Sequence, residues 1–107
     1  MLILFDHGTP RGIARELQNH TVKLAKEEGW DTLSNGELLA AAENAGFDVL
    51  LTNDQGIAYQ QNLSNRKIAV VILGNGQWPL IKPMLDEVIV ALEAARPGSF
   101  IVVEIPD

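Results

Sequence analysis

The chain carries at residues 48–54 the stretch DVLLTND, in which a continuous apolar run ends in polar residues. Strands that are apolar throughout, rather than alternately apolar and polar, are typical of parallel sheets covered on both faces. Residues 48–52 therefore predict a buried strand of such a sheet. Asp54 is predicted to cap a helix that runs from Gln55 to about Asn62.

Apolar runs of the same kind recur on both sides of this stretch, and helical patterns separate them. The further predicted strands are residues 1–5, 20–24, 68–73 and 100–105. The further predicted helical segments are residues 10–17, 25–29, 35–45 and 80–95. Strands that alternate with helices predict a three-layer α/β fold, in which a mostly parallel five-stranded sheet has helices on both faces.

Local signals set the predicted ends of these helices. Thr9 and Pro10 suit the N-cap and the first position of the first helix. Residues 34–37, which read SNGE, match the capping-box pattern of a helix start. Pro83 is expected in or near the first turn of the last and longest helix.

Composition restricts the classes of protein to which the chain can belong. With 107 residues it fits a single domain, and without cysteine it has neither disulfides nor thiolate metal sites. The apolar start breaks at Asp6, so it predicts a strand and not a secretory signal. No apolar run approaches the roughly 18 uncharged residues of a membrane span. We therefore expect a cytoplasmic protein that does not insert into membranes.

The chain is acidic, with 14 acidic and 8 basic residues and a formal net charge of −6. Such a charge repels nucleic acid at long range, which counts against stand-alone nucleic-acid binding. It does not exclude a nuclease, because carboxylates that hold a metal ion also concentrate negative charge.

Three carboxylates are predicted to meet at one edge of the sheet. Asp6 follows the first predicted strand and Asp54 follows the third, so parallel strands bring both to the carboxyl edge, where ligands bind in such folds. Glu37 lies in the first turn of a crossover helix, which begins above the same edge. Each also has a purely structural explanation: an Asx turn for Asp6, the capping box for Glu37 and a helix cap for Asp54.

Carboxylate oxygens are the ligands that Mg²⁺ and Mn²⁺ prefer, and these ions often need only one or two protein carboxylates beside substrate oxygens. A bound ion of this kind would polarise a phosphoryl group for attack by water. A zinc site is disfavoured because His7 and His20 are the only histidines and lack helical ligand spacing. The sequence therefore predicts a site for Mg²⁺ or Mn²⁺.

Three stretches of the chain resemble a PIN-like domain: LFDHG at residues 4–8, GELLAAA at residues 36–42 and VLLTND at residues 49–54. Similar sequences occur in small bacterial PIN-like proteins, which are described as predicted nucleases of toxin–antitoxin systems. The resemblance implies a metal-dependent endoribonuclease that acts on RNA, with an antitoxin protein as a partner. Together with the small size of the domain, it also predicts a homodimer.

The resemblance also implies roles for individual residues. Asp6, Glu37 and Asp54 match the catalytic, metal-binding acids, and Thr52 matches the threonine of a Thr-x-Asp motif that supports the site. His7 and Asn53 are placed beside them as further supporting residues. Arg11 and Lys82 are the basic residues that we expect to contact substrate phosphates.

The chain departs from the PIN-like pattern just after Asp54, where residues 55–57, QGI, supply no further acid. This departure and the net charge of −6 favour an alternative: a catalytically degenerate PIN-like module that binds RNA or a partner protein without cleavage. A third hypothesis is a nucleotide-binding domain that uses the glycine-containing loop at residues 74–78, although the complete dinucleotide-binding glycine pattern is missing.

Overall fold

The structure is a computed structural model that describes residues 1–57 and 62–106. Its centre is a five-stranded sheet in which every neighbouring pair of strands is parallel, in the order β2-β1-β3-β4-β5. The strands are β1 Leu2–Phe5, β2 Thr21–Leu24, β3 Val49–Thr52, β4 Ala69–Leu73 and β5 Phe100–Val103. The predicted α/β fold is confirmed, and these strands are parallel throughout.

The described helical segments are short, and each connects or flanks the strands. They are the 3₁₀-helix η1 Arg11–Glu16, the α-helices α1 Asn35–Asn44 and α2 Trp78–Ile81, the 3₁₀-turn η2 Lys82–Met84 and the α-helix α3 Leu85–Glu93. Within the described ranges, no helix is both long enough and apolar enough to cross a membrane. The helix predicted for residues 55–62 falls largely on residues 58–61, outside the described residues.

Alternate residues of the central strands pack into two separate cores, one on each face of the sheet. Leu4, Leu50 and Val70 pack on one face against Leu38 and Leu39 of α1. The other face holds Ile3, Phe5, Leu51 and Val71, which pack against η1, α2 and α3. Burial on both faces explains why these strands are almost entirely apolar, and it confirms the predicted three layers.

Helix α1 begins and ends as its sequence predicts. Ser34 is the N-cap, and its hydroxyl accepts a hydrogen bond from the Glu37 backbone N–H, while the Glu37 side chain accepts one from the Ser34 backbone N–H. Gly46, just after the C-cap Ala45, has a φ of +87°, a conformation that glycine adopts without steric cost.

The predicted first helix differs from the observed one because Thr9 is not its N-cap. The Thr9 hydroxyl instead donates a hydrogen bond of 3.2 Å to the Leu51 carbonyl, and the side chain is buried. Pro10 becomes the N-cap without any side-chain hydrogen bond, and the segment that follows is the 3₁₀-helix η1. A tertiary contact to β3 has replaced the local cap that the sequence predicted.

The predicted long helix at residues 80–95 is divided by Pro83. It starts earlier, at Trp78, and α2 ends at Ile81 before the 3₁₀-turn η2. Proline has no N–H to donate, and its ring clashes with the carbonyl four residues earlier, so the α-helix cannot pass through Pro83 undisturbed. Regular α-helix resumes at Leu85. The predicted apolar stripe is present, but the helix that carries it is interrupted at Pro83.

Gly12 in η1 packs directly against the indole of Trp78, and this contact supplies a test of the fold. A methyl group at residue 12 would lie 2.5–2.9 Å from three carbon atoms of that ring. We predict that Gly12→Ala lowers the free energy of unfolding by about 1–3 kcal/mol, as overpacking typically does. Urea denaturation measures the change. In a Trp78→Leu background the same substitution should cost clearly less, and an equal cost in both backgrounds would contradict the contact.

Candidate functional site

The candidate site lies where the strand order reverses. The chain passes from β1 to β2 on one side and returns past β1 to β3 on the other, so β1 and β3 are neighbours whose connections leave in opposite directions. Ligands of open parallel sheets bind in the crevice at such a switch point, beyond the carboxyl ends of the strands. Asp6 directly follows β1, and Asp54 lies two residues beyond the end of β3. The fold thus brings both carboxylates to this crevice.

Thr52 joins these two acidic loops through its hydroxyl. The Thr52 Oγ1 donates a hydrogen bond of 2.8 Å to Asp6 Oδ2 and accepts one of 3.0 Å from the Asp54 backbone N–H. The threonine is fully buried, whereas both acids are half-buried. Asp6 Oδ1 accepts a further hydrogen bond of 2.8 Å from the His7 backbone N–H. The Asp6 carboxylate is therefore held from both oxygens.

Asp54 is held in the same way, by partners on two different segments. Its Oδ1 accepts a hydrogen bond of 2.9 Å from the Gly56 backbone N–H, the local turn expected of a capping acid. Its Oδ2 accepts one of 2.7 Å from Asn35 Nδ2, at the first position of α1. Asn35 was not singled out from the sequence, although its place beside the Ser34 cap could have predicted that it lies at this edge.

Glu37 occupies the start of α1, and its carboxylate is engaged in the capping box. Its Oε1 accepts hydrogen bonds of 3.0 Å from the Ser34 backbone N–H and 2.8 Å from the Ser34 hydroxyl. The hydrogen bond from the Ser34 backbone N–H, and to a smaller extent the one from the Ser34 hydroxyl, lower the pKa of this exposed carboxyl below its ordinary value. The structural explanation of Glu37 is therefore realised, and its role as a ligand stays a prediction.

Asn53, one of the predicted supporting residues, packs between two glycine-containing loops. Its side-chain amide lies so close to Gly76 that a methyl group there would overlap it, and it also lies near Gly8. Gln55 Nε2 donates a hydrogen bond of 2.6 Å to the Gly74 carbonyl. The loop that follows β4 is thus fastened to the loop that follows β3, and Gly76 serves close packing within the protein.

Arg11 and Lys82, the two predicted phosphate contacts, do not line the same cleft in the structure. Arg11 lines a cleft of about 200 Å³ together with Asp6, His7 and Gly8. Lys82, an exposed residue of η2, is not among the residues that line this cleft. Lys26 takes that place instead, because it follows β2 and the carboxyl end of β2 lies beside that of β1. Lys26 is not one of the basic residues that the sequence predicted as phosphate contacts.

The donor atoms at the switch point suit a hard divalent cation held by two carboxylates. Mg²⁺ commonly binds one or two protein carboxylates and keeps several waters, which matches the pair Asp6 and Asp54. Among residues 1–57 and 62–106, however, no three histidine, aspartate or glutamate side chains are grouped so that they could hold one ion. The metal site and its three-carboxylate form both stay predictions.

Comparison with known proteins adds no family to these observations. The chain matches no family model, no curated protein and no solved structure.

The hydrogen bonds of Thr52 generate a stability prediction. Thr52→Val keeps the shape of the side chain but leaves Asp6 Oδ2 without its donor and the Asp54 N–H without its acceptor. We expect a loss of about 1–3 kcal/mol in the free energy of unfolding, the usual cost of leaving such groups unpaired. Urea denaturation measures the loss. Thr52→Ser retains the hydroxyl and serves as the matched control; if Val proved no more costly than Ser, the hydroxyl would have no structural role.

The capping box generates a prediction about pH. Because the pKa of Glu37 is lowered in the folded state, its contribution to stability is present above the unfolded-state pKa and is lost as the pH falls through the folded-state pKa. Ser34→Ala removes the hydroxyl but retains the backbone N–H, so the pKa of Glu37 should rise only part of the way to its ordinary value. Carboxyl carbon shifts followed by NMR measure this.

Glu43 is the internal control for that titration. Its pKa is also lowered, mainly by a hydrogen bond from the Lys67 backbone N–H, which Ser34 does not contact. Its titration should be the same in the wild type and in Ser34→Ala. A Glu37 pKa that did not change in the variant, or a Glu43 pKa that moved equally, would contradict the assignment.

Proposed function

We propose that this protein is a metal-dependent endoribonuclease of the PIN-like type, in which Asp6 and Asp54 hold one Mg²⁺ or Mn²⁺ ion. The observation that carries the proposal is the position of these two acids at the switch point of the sheet, with Thr52 hydrogen-bonded to both loops. Ligand sites of parallel sheets concentrate at such positions. The resemblance of residues 4–8, 36–42 and 49–54 to PIN-like domains gives the reaction class.

The chain's own residues would position the reactants. Thr52 and the His7 backbone N–H hold both oxygens of Asp6, while Gly56 and Asn35 hold both oxygens of Asp54. Acids fixed in this way lose little freedom when they bind a cation, so binding costs less entropy. A bound cation would polarise the phosphodiester and offset the charge that develops during attack by water. Arg11, in the cleft beside Asp6, would bind a substrate phosphate.

RNA is the proposed substrate, and the biological context is that of a toxin with an antitoxin partner in the cytoplasm. A homodimer belongs to the same proposal. These partners rest on the resemblance of the three motifs, since the fold alone does not specify function.

A second candidate is the PIN-like module that binds RNA or a protein without cleaving RNA. The observation that favours it is the engagement of Glu37 in the capping box, together with the absence of a third acid beside Asp6 and Asp54 in the described part of the chain. Tight binding of RNA or a partner that is indifferent to chelator, without any cleavage, would support this candidate over the nuclease.

Calorimetric titration with Mn²⁺ tests the proposed ligands. We predict that wild-type protein binds one ion, and that Asp6→Asn and Asp54→Asn each weaken binding by tenfold or more, because each removes one of two charged ligands. Asp86→Asn is the matched control: it removes the same charge from an exposed position on α3 and should leave affinity unchanged. No binding at millimolar Mn²⁺ with or without RNA would contradict the proposal.

Glu37→Gln decides between the two explanations of Glu37. Glutamine retains an oxygen that accepts the Ser34 hydrogen bonds, so the cap persists while the negative charge is lost. Mn²⁺ affinity and RNA cleavage that both fall in this variant would mean that Glu37 acts as a third acid. Unchanged affinity and cleavage would mean that it serves only the helix.

A further inference from the structure

The cleft beside Asp6 opens toward β2, on the side of β1 that faces away from β3. It is lined by Asp6, His7 and Gly8 from the loop after β1, by Arg11 at the start of η1, and by Lys26 after β2. Its volume of about 200 Å³ is smaller than the roughly 300–1,000 Å³ of pockets that enclose whole small molecules. The cleft therefore suits one charged group rather than a complete nucleoside.

The two cations that line the cleft are Arg11 and Lys26. Neither the Arg11 guanidinium nor the Lys26 ammonium makes an ion pair or a side-chain hydrogen bond with any described residue. By contrast, Arg66 lies 3.6 Å from Glu43, so a chain with this excess of acids does pair some of its cations. The lining of the cleft thus carries two cations, Arg11 and Lys26, and one acid, Asp6, in a chain with a net charge of −6.

The backbone of the loop adds a donor to the same cleft. Gly8 has a φ of +86°, a conformation that favours glycine. It has no side chain, so its backbone lines the cleft. Its N–H donates no hydrogen bond to another described residue, whereas the N–H groups of His7 and Thr9 donate to the carboxylate and the carbonyl of Asp6. The Gly8 N–H and the two cations that line the same cleft together make a donor set for an oxyanion.

We infer that this cleft binds a phosphate of the RNA backbone, through Arg11, Lys26 and the Gly8 N–H, next to the phosphate that lies at Asp6 and Asp54. The inference rests on the proposed nuclease function for the identity of the polymer. Neighbouring strands are about 4.8 Å apart, so the cleft on the β2 side lies roughly one strand spacing from the crevice between β1 and β3. The RNA strand therefore crosses the sheet edge from β3 toward β2.

Asp6 lies between the two proposed phosphate positions. Its carboxylate would repel a single anion that enters the cleft, and Arg11 and Lys26 would offset that repulsion. A polymer that places one phosphate in the cleft and the next near a cation at Asp6 and Asp54 satisfies both positions. Lys26 is a binding residue in this assignment, and it takes no part in the bond-breaking step.

The test is equilibrium binding of a fluorescent single-stranded octauridylate, measured by anisotropy at several salt concentrations in EDTA and again with Mn²⁺. Lys26→Gln and Arg11→Gln should each bind about tenfold more weakly at low salt, and each should reduce the salt slope by about 0.7, the loss of one single-strand phosphate contact. Lys23→Gln is the matched control, because it removes the same charge from an exposed position on β2 outside the cleft.

The outcomes separate this inference from the function on which it rests. If Lys26→Gln and Lys23→Gln have equal affinities and salt slopes, or if the wild type does not bind the oligonucleotide in either condition, the phosphate site is overturned even where Mn²⁺ binds at Asp6 and Asp54. If Lys26→Gln and Arg11→Gln lose affinity and Lys23→Gln does not, while the wild type neither binds Mn²⁺ nor cleaves RNA, the phosphate site stands and the nuclease proposal fails.

Discussion

The hydroxyl of Thr52 is the interaction on which the candidate site depends. It lies at the end of β3, fully buried, and it connects the acid that follows β1 to the loop that carries Asp54. Hydrogen bonds to carboxylates are stronger than those between neutral groups, and a buried donor restricts the orientation of its acceptor. The Thr52 side chain thus holds an acid that lies 46 residues away in sequence, and it also binds the backbone of the loop that carries Asp54. The remaining contacts at this edge, from Asn35, Gly56 and His7, complete the fixation of the two acids.

The sequence predicts the fold well because the fold follows from burial on both faces. Apart from Thr52 at the end of β3, the residues of β3 and β4 are all apolar, as is typical of a sheet covered on both sides. The capping box of α1 was equally readable, because both of its hydrogen bonds are local. The sequence could not reveal which hydrogen-bond partner a side chain takes when a local partner and a distant one are both available. The Thr9 hydroxyl could cap a helix or bind the Leu51 carbonyl, and the tertiary contact prevailed.

The same distinction between local and distant partners applies to the candidate site. The topology rule alone placed Asp6 and Asp54 at one crevice, and the structure has them there. The roles of Asn35 and Lys26 depend on which loops meet in space, so single-sequence reasoning did not reach them. Glu37 shows the opposite case, in which the local explanation predicted from residues 34–37 is fully realised. A residue at the correct edge of the sheet is not for that reason a ligand.

Charged residues of opposite sign lie on the two sides of Asp6 along this edge of the sheet. Asp54 lies on the β3 side of Asp6, where a cation would offset both acids, and the cations Arg11 and Lys26 lie on the β2 side. A polyanion that is repelled by the net charge of −6 at long range would meet the positive charges of Arg11 and Lys26 at this edge.

The most direct test of the account is anomalous diffraction from crystals grown with Mn²⁺, since it locates a cation without reference to activity. One anomalous peak is expected at the switch point, within coordination distance of Asp6 and Asp54, while Thr52 keeps its hydrogen bond to the Asp6 carboxylate. A peak elsewhere on the chain, or none at this crevice when crystals also contain a single-stranded oligonucleotide, would contradict it.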